Sequence, residues 1–335
     1  MTSAAQFCYG PPPMTTRSPL HLAESASPPR PWWRNALPFA LAAALIALAL
    51  SRLDLRAFVA HLAAVNVPGF ALFTLAFVFA LLTADTFATV ILYRRVVARV
   101  SFKEFWVLRG ASYLPSMVNH HLGQAFITYF LARAHRVSLA RVAGATLLVY
   151  ASWTGCILIL GSVALFLNHK PLGTIALVLG VGVLYLLVLA IRPSRLARVP
   201  LLAPLFEAGV PGHLVALATR VPHFIVLFLG TWLPFWFFGV RIPVSAAAAY
   251  VPILMVVVTL PLTPQGFGSR ELVAAMFFER FAPGGTHDER LAALAAATMS
   301  WGVAITLVEA LVGLLFLKRA MPHLERGGAA EAPPG

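Results

Sequence analysis

Long apolar runs alternate along this chain with short basic or polar interruptions. Residues 36–51, 67–92, 142–167, 172–191, 213–239, 244–260 and 291–317 predict membrane-crossing helices. Two further stretches, residues 110–131 and 261–281, are apolar at both ends and broken in the middle. The first carries Pro115, Asn119, His120, His121, Gly123 and Gln124, and the second carries Pro261, Pro264, Gly266, Gly268, Arg270 and Glu271. Unpaired backbone facing hydrocarbon costs several kcal/mol per group, so a broken segment at that depth survives only inside protein or beside a watery cavity. The pattern therefore predicts an all-α polytopic membrane protein with about 7–8 transmembrane helices and one or two re-entrant or broken helical segments. Paired interrupted segments in the two halves of a chain also point to a midplane site in transporters built from repeats.

The interruptions set the expected topology. Arg94, Arg95, Arg99, Lys103 and Arg109 form the densest basic loop, followed by loops with Arg133, Arg136 and Arg141, and with Arg192, Arg195 and Arg198. Short basic loops are cytoplasmic. Residues 110–131 have such loops on both sides, which predicts a re-entrant hairpin. Residues 52–67 read as a short surface helix outside the membrane. The basic end of the last run, at Lys318 and Arg319, predicts a cytoplasmic C-terminus. Residues 265–281 would then have to cross most of the membrane, although a helix of roughly 13–16 residues is too short for that at 1.5 Å per residue. Residues 1–35, rich in Pro, Ser and Ala, read as a disordered cytoplasmic tail, with Trp32 and Trp33 at the interface. Residues 36–51 read as an uncleaved first helix, residues 36–317 as the membrane domain and 318–335 as a short cytoplasmic tail.

Composition agrees. Of 335 residues, 60% are hydrophobic and 11% charged, with mean hydropathy +0.83. A soluble surface needs about 25% charged residues. The net charge of +13 belongs to loops between apolar runs, which excludes nucleic acid as a partner. Cys8 lies in the polar tail and Cys156 in an apolar run, so no disulfide is expected. Gly144, Gly155 and Gly161 read as positions of close helix packing.

Leu260-Pro261-Leu262-Thr263-Pro264, followed by Gly266-Phe267-Gly268-Ser269-Arg270-Glu271, resembles the signature of the lysylphosphatidylglycerol synthase transmembrane-region family, also described as flippase-like. The resemblance spans roughly residues 36–317. In the first half, Asn119 and Gly123 fit the family pattern, Gln124 replaces its acid, and Leu122 departs from its Pro. The resemblance implies a multi-pass cell-membrane protein that handles lipids. The soluble aminoacyl-transfer domain of the bifunctional members has no counterpart in this sequence, so synthase activity is not expected and no cofactor is implied.

The candidate chemistry centres on the second broken stretch. Ser269 is positioned to cap a helix whose first turn holds Arg270 and Glu271. Gly266 and Gly268 allow close approach of backbone to a ligand, and Arg270 offers a forked donor suited to phosphate. Glu271 either pairs with Arg270 or receives a cationic head group. An internal Arg270–Glu271 pair holding a structural bend competes with a site for the anionic or zwitterionic head group of a membrane lipid. Asn119 and Gln124 are candidate substrate contacts from the first stretch, with Asp85, Glu309 and His120 as cavity residues. Asp85, Glu309, Arg220 and His223 lie within about two turns of predicted span ends, where snorkelling or local pairing also accounts for them. Arg220 and His223 are expected to meet lipid head groups at a basic edge. His120-His121 lacks a carboxylate or cysteine at ligand spacing, so no metal site is expected. Gly266-x-Gly268 lacks the setting of a dinucleotide site.

Three functions fit these residues. The first is binding and translocation of a phosphate-bearing lipid or lipid-linked precursor between leaflets. The second is a membrane-embedded enzyme of lipid or glycan metabolism, for which no convincing catalytic constellation is present. The third is a non-transporting accessory subunit of such a pathway.

Overall fold

The computed structural model describes residues 55–118, 120–259 and 268–329, and the described residues are helical throughout apart from turns and loops. Helices α1 (Leu55–Ala63), α2 (Val67–Val96), α3 (Phe102–Ala111), α4 (Tyr113–Val118), α5 (His120–His135), α6 (Leu139–Leu167), α7 (Leu172–Ile191) and α8 (Ser194–Ala197) make the first half. Helices α9 (Ala203–Trp232), α10 (Pro234–Phe237), α11 (Val244–Thr259), α12 (Ser269–Phe278) and α13 (His287–Ala329) make the second. The expected tail at 1–35 and first helix at 36–51 lie outside the described residues. Among the described residues, five helical stretches, 67–96, 139–167, 172–191, 203–237 and 287–320, are long and apolar enough to cross a membrane, with a shorter apolar helix at 244–258.

Local chemistry starts these helices where polar residues interrupt the apolar runs. The Asn66 side chain accepts the Gly69 N–H at 3.1 Å, with Pro68 in the first turn of α2. Ser101 and Glu104 form a reciprocal capping box on α3, and Ser138 caps α6 through the Arg141 N–H. Helix α9 lies between α2 and α6. An added Cβ at Gly144 would meet the Leu201 carbonyl at 2.3 Å, and one at Gly155 would meet Leu217 at 2.9 Å, so both glycines serve close packing as expected. Gly161 faces open space and does not. Helix α7 is peripheral, with Leu189 its one buried residue.

Both broken stretches fold back on themselves. In the first, α3 enters and α5 leaves beside it: Glu104 in the first turn of α3 meets His135 Nε2 in the last turn of α5 at 3.0 Å. Helices α4 and α5 pack through Gly123, where a Cβ would sit 1.8 Å from Ser116 Oγ. In the second, α11 enters and α12 returns. The Arg241 N–H, just before α11, bonds the Phe281 carbonyl, just after α12, at 3.1 Å. Tyr250 of α11 stacks on Phe277 of α12 with centroids 4.8 Å apart.

This return answers what the sequence left open for residues 265–281, and it corrects the reading of 244–260 as a full crossing, since α11 is one arm of a hairpin. Helix α12 spans roughly 15 Å, half of a hydrocarbon core, and it comes back to the face from which α11 set out. Helix α13, long and apolar enough to cross a membrane, follows. The two hairpins also open to opposite faces. The first lies beside the end of α2, where Arg94 Nε bonds the Val100 carbonyl at 2.8 Å. The second lies beside the end of α9, where Trp232 Nε1 bonds the Ile242 carbonyl at 3.0 Å and Phe235 meets Phe278 at 5.3 Å. Helices α2 and α9 run antiparallel, with Gly230 against Phe77 and Arg220 against Asp85, so these ends are on opposite faces.

Candidate functional site

Most of the buried charge of the described residues lies near the middle of α2 and α9 and at the start of α12. Asp85 of α2 accepts from Arg109 Nε of α3 at 2.6 Å and from an Arg220 guanidinium nitrogen of α9. Arg220 also reaches Thr89 Oγ1 at 3.3 Å, and Arg109 reaches Ser112 Oγ at 3.2 Å. His223 Nδ1 stands 3.9 Å from Asp85, beyond hydrogen-bond range. One carboxylate thus holds two guanidiniums from two other helices. Arg109 also lies over the Tyr113 ring, 5.7 Å from its centre.

These contacts overturn two expectations. Arg220 is 1% exposed and His223 is buried, so neither meets head groups at a basic edge. The helix that carries them begins at Ala203, ten residues before the apolar run, and continues through a kink where Gly209 takes φ +57°. That extension puts Arg220 near mid-helix. Asp85 likewise does not snorkel, because it is buried and its partners come from α3 and α9.

Next to this cluster lies a cavity of about 170 Å³. Arg270 of α12 and Glu309 of α13 line it, with Thr231 and Thr298 as further polar groups, against an apolar wall that includes Phe77 and Trp301. Such a volume holds several waters or a small polar group. Glu309 is within electrostatic reach of both Arg109 and Arg270, and Arg270 of both Glu271 and Glu309. Acidic and basic side chains therefore alternate from α12 to α9: Glu271, Arg270, Glu309, Arg109, Asp85, Arg220. Alternation lets ions sit at this depth, since each would otherwise face a large desolvation penalty.

The start of α12 differs in one detail from expectation. Ser269 is not the cap but the first helical residue, and Gly268 occupies the cap position at φ +83° and ψ −49°. Glu271 Oε2 reaches back to the Gly268 N–H at 2.6 Å, and this contact draws the chain into a conformation that favours glycine. Glu271 Oε1 is buried and has no hydrogen-bond partner among the described residues.

Of the residues singled out in sequence, Arg270 and Glu309 share the cavity wall, with Gly268, Ser269 and Glu271 buried beside it. Gly266 and Asn119 lie outside the described residues. Gln124 is half-buried on α5 and does not line the cavity. His120 is exposed, its ring 6.0 Å from His121 and 6.4 Å from Tyr150. These two do not join Arg270, because α5 packs against α4 and α6 rather than against α12. Sequence reasoning counted Arg109 among the loop cations. A signal was present: Arg109 precedes Gly110, Ala111 and Ser112, the small residues that open the broken stretch.

No curated protein and no solved structure matches the chain significantly. The family model described as the lysylphosphatidylglycerol synthase TM region matches residues 35–313, most of the chain, with the five long apolar helices and both hairpins largely inside the match. On that match this multi-pass membrane protein, one of lipid metabolism or transport, belongs to the lysylphosphatidylglycerol synthase TM-region family.

Proposed function

We propose that the protein binds a phosphate-bearing lipid or lipid-linked precursor at Arg270 and moves its head group between leaflets. The observation that carries this reading is the cavity walled by α11 and α12 of the second hairpin and by α2, α9 and α13, with Arg270 and Glu309 on its wall and Arg109 of the first hairpin within electrostatic reach of Glu309. A head group crossing hydrocarbon needs polar partners at mid-depth, and discontinuous helices are how repeat-built transporters supply them. Arg270 gives a planar fork for phosphate oxygens, and Glu309 and Glu271 hold that fork when the site is empty. An incoming phosphate would take over part of the role of Glu309, and a head-group amine could then bind the released carboxylate. The hairpins, each opening to one face, are the natural gates for alternating access. The face bearing Arg94, Arg95, Arg192 and Arg195 is assigned to the cytoplasm of a cell membrane by the positive-inside rule.

The test is leaflet exchange of a panel of labelled phospholipids in reconstituted vesicles. Arg270→Ala is expected to lower exchange of the cognate lipid by tenfold or more, about 1.4 kcal/mol or above. Glu271→Gln is expected to have a smaller effect, because an amide oxygen still accepts the Gly268 N–H. Unchanged exchange in Arg270→Ala at equal folded yield would reduce Arg270 to a structural ion. A chemically altered lipid in the same vesicles would favour an embedded enzyme instead.

A further inference from the structure

We propose a second lipid site, separate from the central cavity, at the base of the second hairpin. A cleft of about 600 Å³ lies there, lined by Tyr250, Met276, Phe277, Glu279, Arg280 and Arg290 among others. Its key group is Arg280, which follows α12. The guanidinium carbon sits 4.7 Å from the Phe281 ring centre and 5.7 Å from that of Tyr250. Tyr250 is itself stacked on Phe277. Stacking uses the faces of a guanidinium and leaves its N–H edges for a ligand. No carboxylate of the described residues pairs with Arg280.

The acids nearby are already engaged. Glu279 accepts from His287 Nδ1 at 2.7 Å and from Arg290 at 3.1 Å. Glu289 takes the N–H groups of Gly285 and Thr286 at 2.6 and 3.1 Å. The cleft therefore presents a pinned cation beside a neutralised acid, a match for a phosphate monoanion.

The apolar surface decides the class of ligand. Met276, in the cleft wall, is 69% exposed, and Leu272, one turn back on the same face of α12, is 60% exposed. A free phosphate has no use for such a strip, whereas an acyl chain does. The occupant is a glycerophospholipid in the leaflet opposite the basic loops, phosphate on Arg280 and chain along Leu272 and Met276. One short helix then has an arginine in its first turn and another just past its last residue, roughly 15 Å apart.

The test uses the full-length protein in proteoliposomes containing phosphatidylglycerol with a photoactivatable group near the glycerol. In the wild type, crosslinks are expected within residues 272–290, and their absence there overturns the proposal even where a variant does not fold. In Arg280→Gln, that label is expected to fall about fivefold relative to label on the basic loop at 94–103 in the same sample, with Arg280→Lys intermediate. Arg270→Ala is expected to leave it unchanged, which separates this site from the central one. An undiminished label in Arg280→Gln refutes the phosphate contact. Displacement of the label by millimolar inorganic phosphate refutes the lipid occupant in favour of a small anion.

Discussion

Replacing Asp85 with Asn probes the alternating charges most directly. The substitution keeps the side chain's shape and one acceptor but removes the charge that holds Arg109 and Arg220. Removing one partner of a buried pair costs about 3–5 kcal/mol, mainly because the other ion is left unanswered. Two ions are orphaned here, but not equally. The Arg220 side chain is 1% exposed and bears the full penalty, whereas that of Arg109 is 14% exposed and keeps Glu309 within reach. The expected loss is therefore near that of one buried pair, about 3–5 kcal/mol, or two to four orders of magnitude in the folding equilibrium. Adding Arg220→Met removes the worse-placed orphan with a side chain of similar reach. The double variant should regain about 2 kcal/mol relative to Asp85→Asn, within the range of coupling between residues in contact. Reversible unfolding in mixed micelles, followed by helical circular dichroism, reads both quantities. A loss below about 1 kcal/mol for Asp85→Asn, or strict additivity in the double variant, would refute the pairing as a buried, coupled one.

Other predictions rest on single features. Gly268→Ala should lose about 1–3 kcal/mol in the same unfolding assay, because an L side chain is strained at φ +83°. In a background lacking Cys8 and Cys156, cysteines at Arg241 and Asp288 should react with an impermeant maleimide from one face, and cysteines at Lys103 and Arg195 from the other. Labelling of Asp288→Cys and Arg195→Cys from the same face would refute the folding-back of α11 and α12. Glu279 has its carboxyl held below the ordinary carboxylate value by the hydrogen bond from His287, burial opposing and Arg290 assisting. A depressed folded-state value gives stability that is present above the unfolded value near 4.5 and lost as pH falls through the folded one. The stability difference between wild type and Glu279→Gln should therefore be level at neutral pH and shrink on acidification, and a difference that grows with acid would reverse the assignment.

The residue pattern alone determined much of this protein. Hydropathy is a sum of transfer free energies along the chain, and it marked α7 at its observed bounds and α2, α6 and α11 to within a few residues. Breaks in that pattern marked both interrupted stretches and the first as a hairpin, and the Gly-Phe-Gly-Ser-Arg-Glu run carried the family resemblance. Only the tertiary structure decided how the charges pair. Asp85 and Arg220 are 135 positions apart and meet because α2 and α9 cross there, which no one-dimensional pattern records. Arg220 read as an edge residue because the apolar run in the sequence begins at His213, whereas helical backbone begins at Ala203 and resumes after the non-helical Gly209. The direction of α12 was likewise undetermined, since a ten-residue helix goes equally well onward or back. The Arg241–Phe281 hydrogen bond and the Tyr250–Phe277 stack, contacts between segments remote in sequence, turn it back.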